Sequence, residues 1–170
     1  MKILVTGAKG FVGKNLVSAL YNIKNGKDRT HPELSIEEIF EFDIDTDDGL
    51  LNKYCKEADF VFNLAGINRP QNTEEFMEGN FGFGKKLLSL LKENNNTCPV
   101  MLSSSIQAEL DNPYGRSKKA GEDLVFEYGK ETGTKVLVYR LPNLFGKWCR
   151  PNYNSVIATF CHNIANDKPI

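Results

Sequence analysis

The sequence predicts an α/β protein in which a doubly wound parallel sheet is covered by helices on both faces. Three observations predict it. Short apolar runs alternate with longer amphipathic ones along all 170 residues, and the first run, Lys2-Ile3-Leu4-Val5-Thr6, enters a glycine-spaced turn at once. Right-handed crossovers between parallel strands then bring every strand's carboxyl end to one edge of the sheet, where the chemically interesting residues fall.

Taken in order, the apolar run at 2–6 is the first strand, and the pattern from Phe11 onward predicts a helix over 11–22. The segment 24–37, with Gly26, Pro32 and several charges, reads as a loop insertion. Glu38-Ile39-Phe40-Glu41-Phe42 alternates and predicts a strand over 38–43, followed by a helix over 48–56. Phe60-Val61-Phe62 lies in a strand expected over 59–64, and 75–94 reads as a helix. A strand over 98–103, a helix over 114–132, a strand over 135–140 and a helix over 153–166 complete the alternation. No internal repeat or low-complexity tract interrupts it.

The turn after the first strand is Gly7-Ala8-Lys9-Gly10-Phe11-Val12-Gly13. Gly7 permits a tight turn, Gly10 lets backbone N–H groups approach a pyrophosphate, and Gly13 allows the helix to pack closely on the strand. The helix starting near Phe11 aims its positive end at that phosphate. Gly7, Lys9, Gly10, Phe11, Val12 and Gly13 are therefore the expected cofactor loop of a Rossmann-like domain. The spacing is GxxGxxG, not GxGxxG, and a glycine triplet alone is also compatible with a plain tight turn.

Tyr114 and Lys118 stand four residues apart in Asn112-Pro113-Tyr114-Gly115-Arg116-Ser117-Lys118, so a helix puts both on one face. An ammonium beside a phenol favours the phenolate. The pair predicts a tyrosine pKa lowered from about 10, suited to exchanging a proton with an alcohol oxygen. Taken alone, the same spacing also describes an ordinary solvated helix face.

Composition sets bounds on the rest. A chain of 170 residues, 41% hydrophobic, suits one domain with an ordinary core, and no second domain fits. A net charge of −1 with scattered charges leaves no basic stripe, arguing against nucleic acid and membrane surfaces as partners. The first apolar run is too short for a signal peptide, so the expected location is cytoplasmic. Cys55, Cys98, Cys149 and Cys161 lack metal-clamp spacing, which predicts free thiols and no metal site. His31 reads as a loop residue and His162 as packing.

In order, the chain shows the Gly7–Gly13 loop, Asn63-Leu64-Ala65-Gly66 at a strand end, Asn80 opening a helix, Ser103-Ser104-Ser105 after another strand, the Tyr114/Lys118 pair, and Arg140-Leu141-Pro142-Asn143-Leu144-Phe145-Gly146. On these landmarks it resembles the extended short-chain dehydrogenase/reductase family of nucleotide-sugar epimerases, dehydratases and reductases. The runs Ser103 to Ala108 and Pro142 to Cys149 resemble the CapF-type capsular polysaccharide synthesis proteins more closely. Those carry a reductase domain followed by a cupin domain and act in making UDP-N-acetyl-L-fucosamine for bacterial surface polysaccharide.

The resemblance implies a catalytic set of Ser105, Tyr114 and Lys118. Tyr114 protonates a sugar oxygen, Ser105 hydrogen-bonds the same oxygen, and Lys118 lowers the tyrosine pKa and binds nicotinamide ribose. Leu64, Ala65, Gly66 and Ser103 would lie along the cofactor. Asn80, Ser105, Ile106, Gln107 and Asn143 would face a UDP-sugar. Asn80 could instead cap its helix or stabilise the neighbouring strand, and Asn143 could cap a turn.

Two departures qualify the resemblance. Ser105 and Tyr114 stand only nine positions apart, against about two dozen in most relatives, and Ile106-Gln107 replaces the Asp-Glu pair of the 4,6-dehydratases, which disfavours dehydration. Only one strand precedes Asn63 after the glycine loop, where the family has two. Asp43 is then a ribose-binding carboxylate, an adenine-contacting aspartate, or the start of a turn; Asp45 is a second candidate. The CapF-type resemblance implies NADP(H), whereas Asp43 and Asp45 point to NAD(H).

The expected activity is NAD(P)H-dependent reduction at C4 of a UDP-linked 4-keto-6-deoxy-N-acetylhexosamine. The alternatives are a nucleotide-sugar 4-epimerase that retains its NAD and a non-catalytic dinucleotide-binding module. Residues 1–170 are expected to be the N-terminal Rossmann domain of a longer enzyme, with 143–170 beginning the substrate-binding part. By itself this stretch should bind cofactor but turn over poorly. An exposed edge and apolar patch left there would drive association, a homodimer being one expected form.

Overall fold

The computed structural model describes residues 1–170. Its strands are β1 (Lys2–Thr6), β2 (Glu38–Phe42), β3 (Phe60–Asn63), β4 (Val100–Ser105) and β5 (Val136–Leu141). They form one parallel sheet in the order β2-β1-β3-β4-β5. The chain leaves β1 first to one side and then to the other, so a crevice opens at the carboxyl ends of β1 and β3. Register makes that edge level: Thr6 pairs with both Phe42 and Asn63, and Ser105 with Leu141.

The helices are α1 (Phe11–Lys24), α2 (Asp48–Glu57), α3 (Glu74–Met77), α4 (Phe83–Glu93), α5 (Pro113–Thr132) and α6 (Val156–Ala165). Their limits have local causes. Asp47 caps α2 by accepting from the Gly49 N–H at 2.7 Å. Asn112 accepts from the Gly115 N–H at 2.8 Å, Pro113 occupies the first turn of α5, and Gly133 ends that helix at φ +72°. None of the helices is long and apolar enough to cross a membrane.

Alternation along β1 divides the core. Ile3 and Val5 face α1 in a small cluster with Val17, Leu20, Ile36 and Ile39. Leu4 faces the opposite side, where Phe40, Leu51, Val61, Leu87, Leu91, Val100 and Val125 form the larger cluster under α2, α4 and α5. Leu51, Leu87 and Leu91 are wholly inaccessible to solvent. Truncating any one to alanine costs about 2–5 kcal/mol. Cys55 and Cys98 belong to this layer as free thiols, and burial pushes Cys55 up to about 12 and Cys98 to about 11.

Two elements depart from expectation. The helix expected over 75–94 is interrupted: α3 and α4 are joined by a wide π turn, Glu78–Gly82, so Asn80 lies within a bulge instead of opening a helix. The fourth strand runs two residues further than its apolar pattern suggests, because Ser104 and Ser105 pair with Arg140 and Leu141. The serine triplet is thus strand, not turn.

Candidate active site

At the end of β1, Gly7 adopts φ +66°, and a Cβ there would stand 2.8 Å from the Ala65 nitrogen. Gly13 in α1 packs so closely on Gly7 and Ala8 that a Cβ would overlap both carbonyl oxygens. Gly10 differs: a Cβ there would meet only the Gly7 oxygen, at 3.2 Å, leaving the space in front of the helix start open. The N–H groups of Phe11, Val12 and Gly13 have no helical acceptor and face this space. Such a cradle fits a dinucleotide pyrophosphate.

Asp43 directly follows β2, whose last residue, Phe42, pairs with Thr6 of β1. One of its oxygens accepts from the Lys9 N–H at 2.7 Å and the other from the Ile44 N–H at 2.8 Å, while its carbonyl accepts from Thr46. Asp43 therefore begins a turn and braces the glycine loop. The Lys9 ammonium extends to Asp45 at 2.5 Å, which raises the lysine pKa and lowers that of the carboxylate.

Four elements meet at the opposite side of the crevice. Lys118, on α5, is buried and donates to the Ser103 carbonyl at 2.8 Å. Burial brings its pKa down to about 8 against a smaller upward pull from Glu122. Tyr114 is half-buried, its ring 5.6 Å from that of Phe76. Burial raises the phenol pKa, and the nearby Ser105 hydroxyl pulls it part of the way back. This corrects the sequence expectation. Desolvation outweighs the pull of Ser105, so the tyrosine stays protonated, and Lys118 is the strongly shifted group.

Asn80 is also reassigned. Its Oδ1 accepts from the Ile67 N–H at 3.0 Å, and its amide donates to the Ile67 carbonyl at 2.9 Å and to Ser117 at 3.0 Å. With both N–H groups used and 7% exposure, it braces the loop after β3 against α5 and has no donor left for a sugar. Gly66 lies against this brace: a Cβ there would stand 2.6 Å from Asn80 Oδ1 and 3.7 Å from Lys118 Nζ. Leu64 and Ala65 line the same strand end; the Leu64 N–H donates to the Thr6 carbonyl and the Ala65 N–H to its hydroxyl.

Ser105 closes β4 and caps a single 3₁₀ turn, Ile106–Glu109, by accepting from the Gln107 N–H at 3.1 Å. Ile106 and Gln107 are exposed on that turn. Asn143 is exposed on the loop after β5 and donates to the Asn154 carbonyl at 2.8 Å, so it holds a turn in this structure.

Sequence reasoning missed three contributors. Gly115 is required because a Cβ would collide with the Gln107 and Leu110 carbonyls. Phe76 covers Tyr114, and the buried Glu122 pairs with the solvent-exposed Arg140 and with Ser104. The recoverable signal was Glu122, an acid one helical turn after Lys118. No group of three or more acidic, cysteine or histidine side chains is placed to hold a metal.

The chain is 45% identical over 170 residues to a UDP-2-acetamido-2,6-beta-L-arabino-hexul-4-ose reductase of Pseudomonas aeruginosa, covering all of this chain and 43% of that one. It is likewise 45% identical to the capsular polysaccharide assembling protein CapF of Staphylococcus aureus, with a TM-score of 0.81 over all of this chain and 42% of that one. RMD of Pseudomonas aeruginosa, solved with NADPH, is 25% identical with a TM-score of 0.74, over 98% of this chain and 62% of its own. The chain thus spans less than half the length of the first two relatives. The family model for the NAD dependent epimerase/dehydratase family matches residues 3–170, and the chain belongs to that NAD(P)-binding family.

Proposed function

We propose that the protein is an NAD(P)H-dependent reductase acting at C4 of a UDP-linked 4-keto-6-deoxy-N-acetylhexosamine, in the synthesis of UDP-N-acetyl-L-fucosamine for bacterial surface polysaccharide. The observation that carries this reading is the placement of a half-buried Tyr114, its phenol pKa raised by burial, with Ser105 and a buried Lys118 at the crevice. The 45% identity to a UDP-hexulose reductase over the whole chain supplies the substrate class.

A dinucleotide held by its pyrophosphate at the glycine loop would supply the hydride for the carbonyl carbon. The protein's part is the oxygen. Ser105 and Tyr114 donate hydrogen bonds to it, and Tyr114 passes its proton as negative charge develops there. A phenol with a raised pKa is fully protonated at neutral pH, the state a reducing enzyme needs. Lys118, brought down to about 8, stabilises the resulting phenolate and binds ribose hydroxyls.

Gly7, Gly10 and Gly13, with Phe11 and Val12, hold the pyrophosphate; Ala65, Gly66 and Ser103 border the nicotinamide side. NADP(H) is the preferred cofactor in this reading, because both Asp43 oxygens already serve backbone N–H groups and the loop itself carries a cation, Lys9, held by Asp45. Residues 143–170 begin the substrate-binding part. In support, Asn154 ties Asn143 to Arg69, and Tyr153 donates to Asn68, bringing that segment over the carboxyl edge of the sheet.

The test is turnover by the full-length protein of a UDP-linked 4-keto sugar, followed by NADPH absorbance. Stoichiometric oxidation of NADPH supports the reductase. Interconversion of C4 epimers without net cofactor consumption, with NAD retained through purification, would establish the epimerase instead.

A further inference from the structure

We propose that Glu122 and Arg140 form a positioning clamp that holds Ser105 in place opposite Tyr114 and Lys118. The inference rests on the reading of Ser105 as the group that binds the reacting oxygen.

Glu122 is 1% exposed, and a carboxylate so deeply buried needs partners for both oxygens. Oε1 accepts from the Ser104 hydroxyl at 2.5 Å and from Arg140 Nε at 2.9 Å; Oε2 accepts from Arg140 Nη2 at 2.7 Å. This fork-to-fork pairing joins α5, β4 and β5 at one point. Burial alone would push the Glu122 carboxyl up, but the bonds from Arg140 and Ser104 more than offset it and hold the group ionised. The third guanidinium nitrogen of Arg140 reaches Glu109 at 2.6 Å, at the end of the 3₁₀ turn.

Ser105 is thereby bracketed. The residue before it is held by Glu122, and the turn after it is held through Arg140 to Glu109. Glu122 also stands one helical turn from Lys118, so the strand end bearing Ser105 and the helix bearing Tyr114 and Lys118 share a single tie. The need for it follows from the nine-residue spacing between Ser105 and Tyr114. So short a link has no loop of its own to orient the serine, and the strand end must do so. An ion pair with one buried and one solvent-exposed partner is a weak way to add stability. Its geometric specificity is what an apolar contact would not supply.

The experiment uses the full-length protein and steady-state reduction of the UDP-linked 4-keto sugar. Ser104→Ala, which leaves the ion pair intact, and Glu122→Gln are each made alone and combined with Ser105→Ala. A positioning role predicts that kcat falls by up to about 100-fold in Glu122→Gln and by about 10-fold in Ser104→Ala, because small displacements of a reacting group are costly. The calorimetric Kd for NADPH stays unchanged. In the Ser105→Ala background the same substitutions lower kcat by less than about twofold, since the group they position is gone. Unchanged kcat in Ser104→Ala, or reductions that multiply in the Ser105→Ala background, would overturn the clamp while leaving the reductase reading intact. Full activity of Ser105→Ala alone would overturn the reading of Ser105 and the clamp with it. If Glu122→Gln does not fold, the Ser104→Ala pair decides.

Discussion

The β1–α1 and β4–α5 junctions are both strand-turn-helix units at one edge of one sheet, yet they are built in opposite ways. The first works by what is missing. Gly7 and Gly13 leave no room for a Cβ, and Gly10 leaves space for a ligand. The second works by side chains that use up one another's hydrogen-bonding capacity: Lys118 on Ser103, Asn80 on Ile67 and Ser117, Glu122 on Ser104 and Arg140. A diphosphate can be held by backbone N–H groups if the chain comes close enough, whereas proton transfer requires side chains whose pKa values are set by their surroundings.

Substitution should separate the two junctions. Tyr114→Phe in the full-length protein is expected to lower turnover about 100- to 10,000-fold, the usual contribution of a positioned proton donor. NADPH affinity by calorimetry should hardly move; activity equal to the parent would break the contrast at once. Gly13→Ala should do the reverse. Its Cβ overlaps Gly7 and Ala8, an overpacking cost of roughly 1–3 kcal/mol, so thermal stability drops and NADPH binds at least about 10-fold more weakly. At saturating cofactor, its turnover should stay close to that of the parent.

Lys118 sharpens the comparison through pH. Its folded pKa of about 8 lies below the ordinary 10.5, so the unfolded chain binds more protons between those values and stability rises with pH across that window. Below pH 8 the cost of burying the ammonium is present in full, on the order of 3 kcal/mol before allowing for its bond to Ser103. Lys118→Met should therefore be more stable than the parent at pH 7 without cofactor, with the gain gone near pH 10.5. Chemical denaturation at several pH values checks this, and a pH-independent difference would show that desolvation does not govern the site. The smallest effect is expected at Lys9, an exposed residue. Lys9→Ala should reduce the preference for NADPH over NADH by less than about 10-fold in paired titrations, and no change would place the ribose phosphate away from Lys9.

Much of the fold was legible because its signals are local. Apolar runs bounded by turn residues located all five strands within about two residues. The Asn112-Pro113 start and Gly133 end of α5 follow from capping chemistry alone. The π turn at Asn80 was not legible, because its i to i+5 bonds leave no mark on an apolar pattern. The direction of the Tyr114 shift was misread for a related reason. Spacing shows that an ammonium is near, but not how much water both groups have lost.

The sequence by itself determined the element order, the glycine loop and the face shared by Tyr114 and Lys118, all of which depend on residues close together in the chain. Only the tertiary structure decided that Asp43 braces Lys9, that Asn80 is spent on Ile67, and that Glu122 meets Ser104 and Arg140. Each of those pairings spans 13 to 34 residues and exists only once the elements that carry them have been packed together. Polar groups reveal their role through what they touch when buried, and burial is a property of the assembled sheet and helices, not of any one segment.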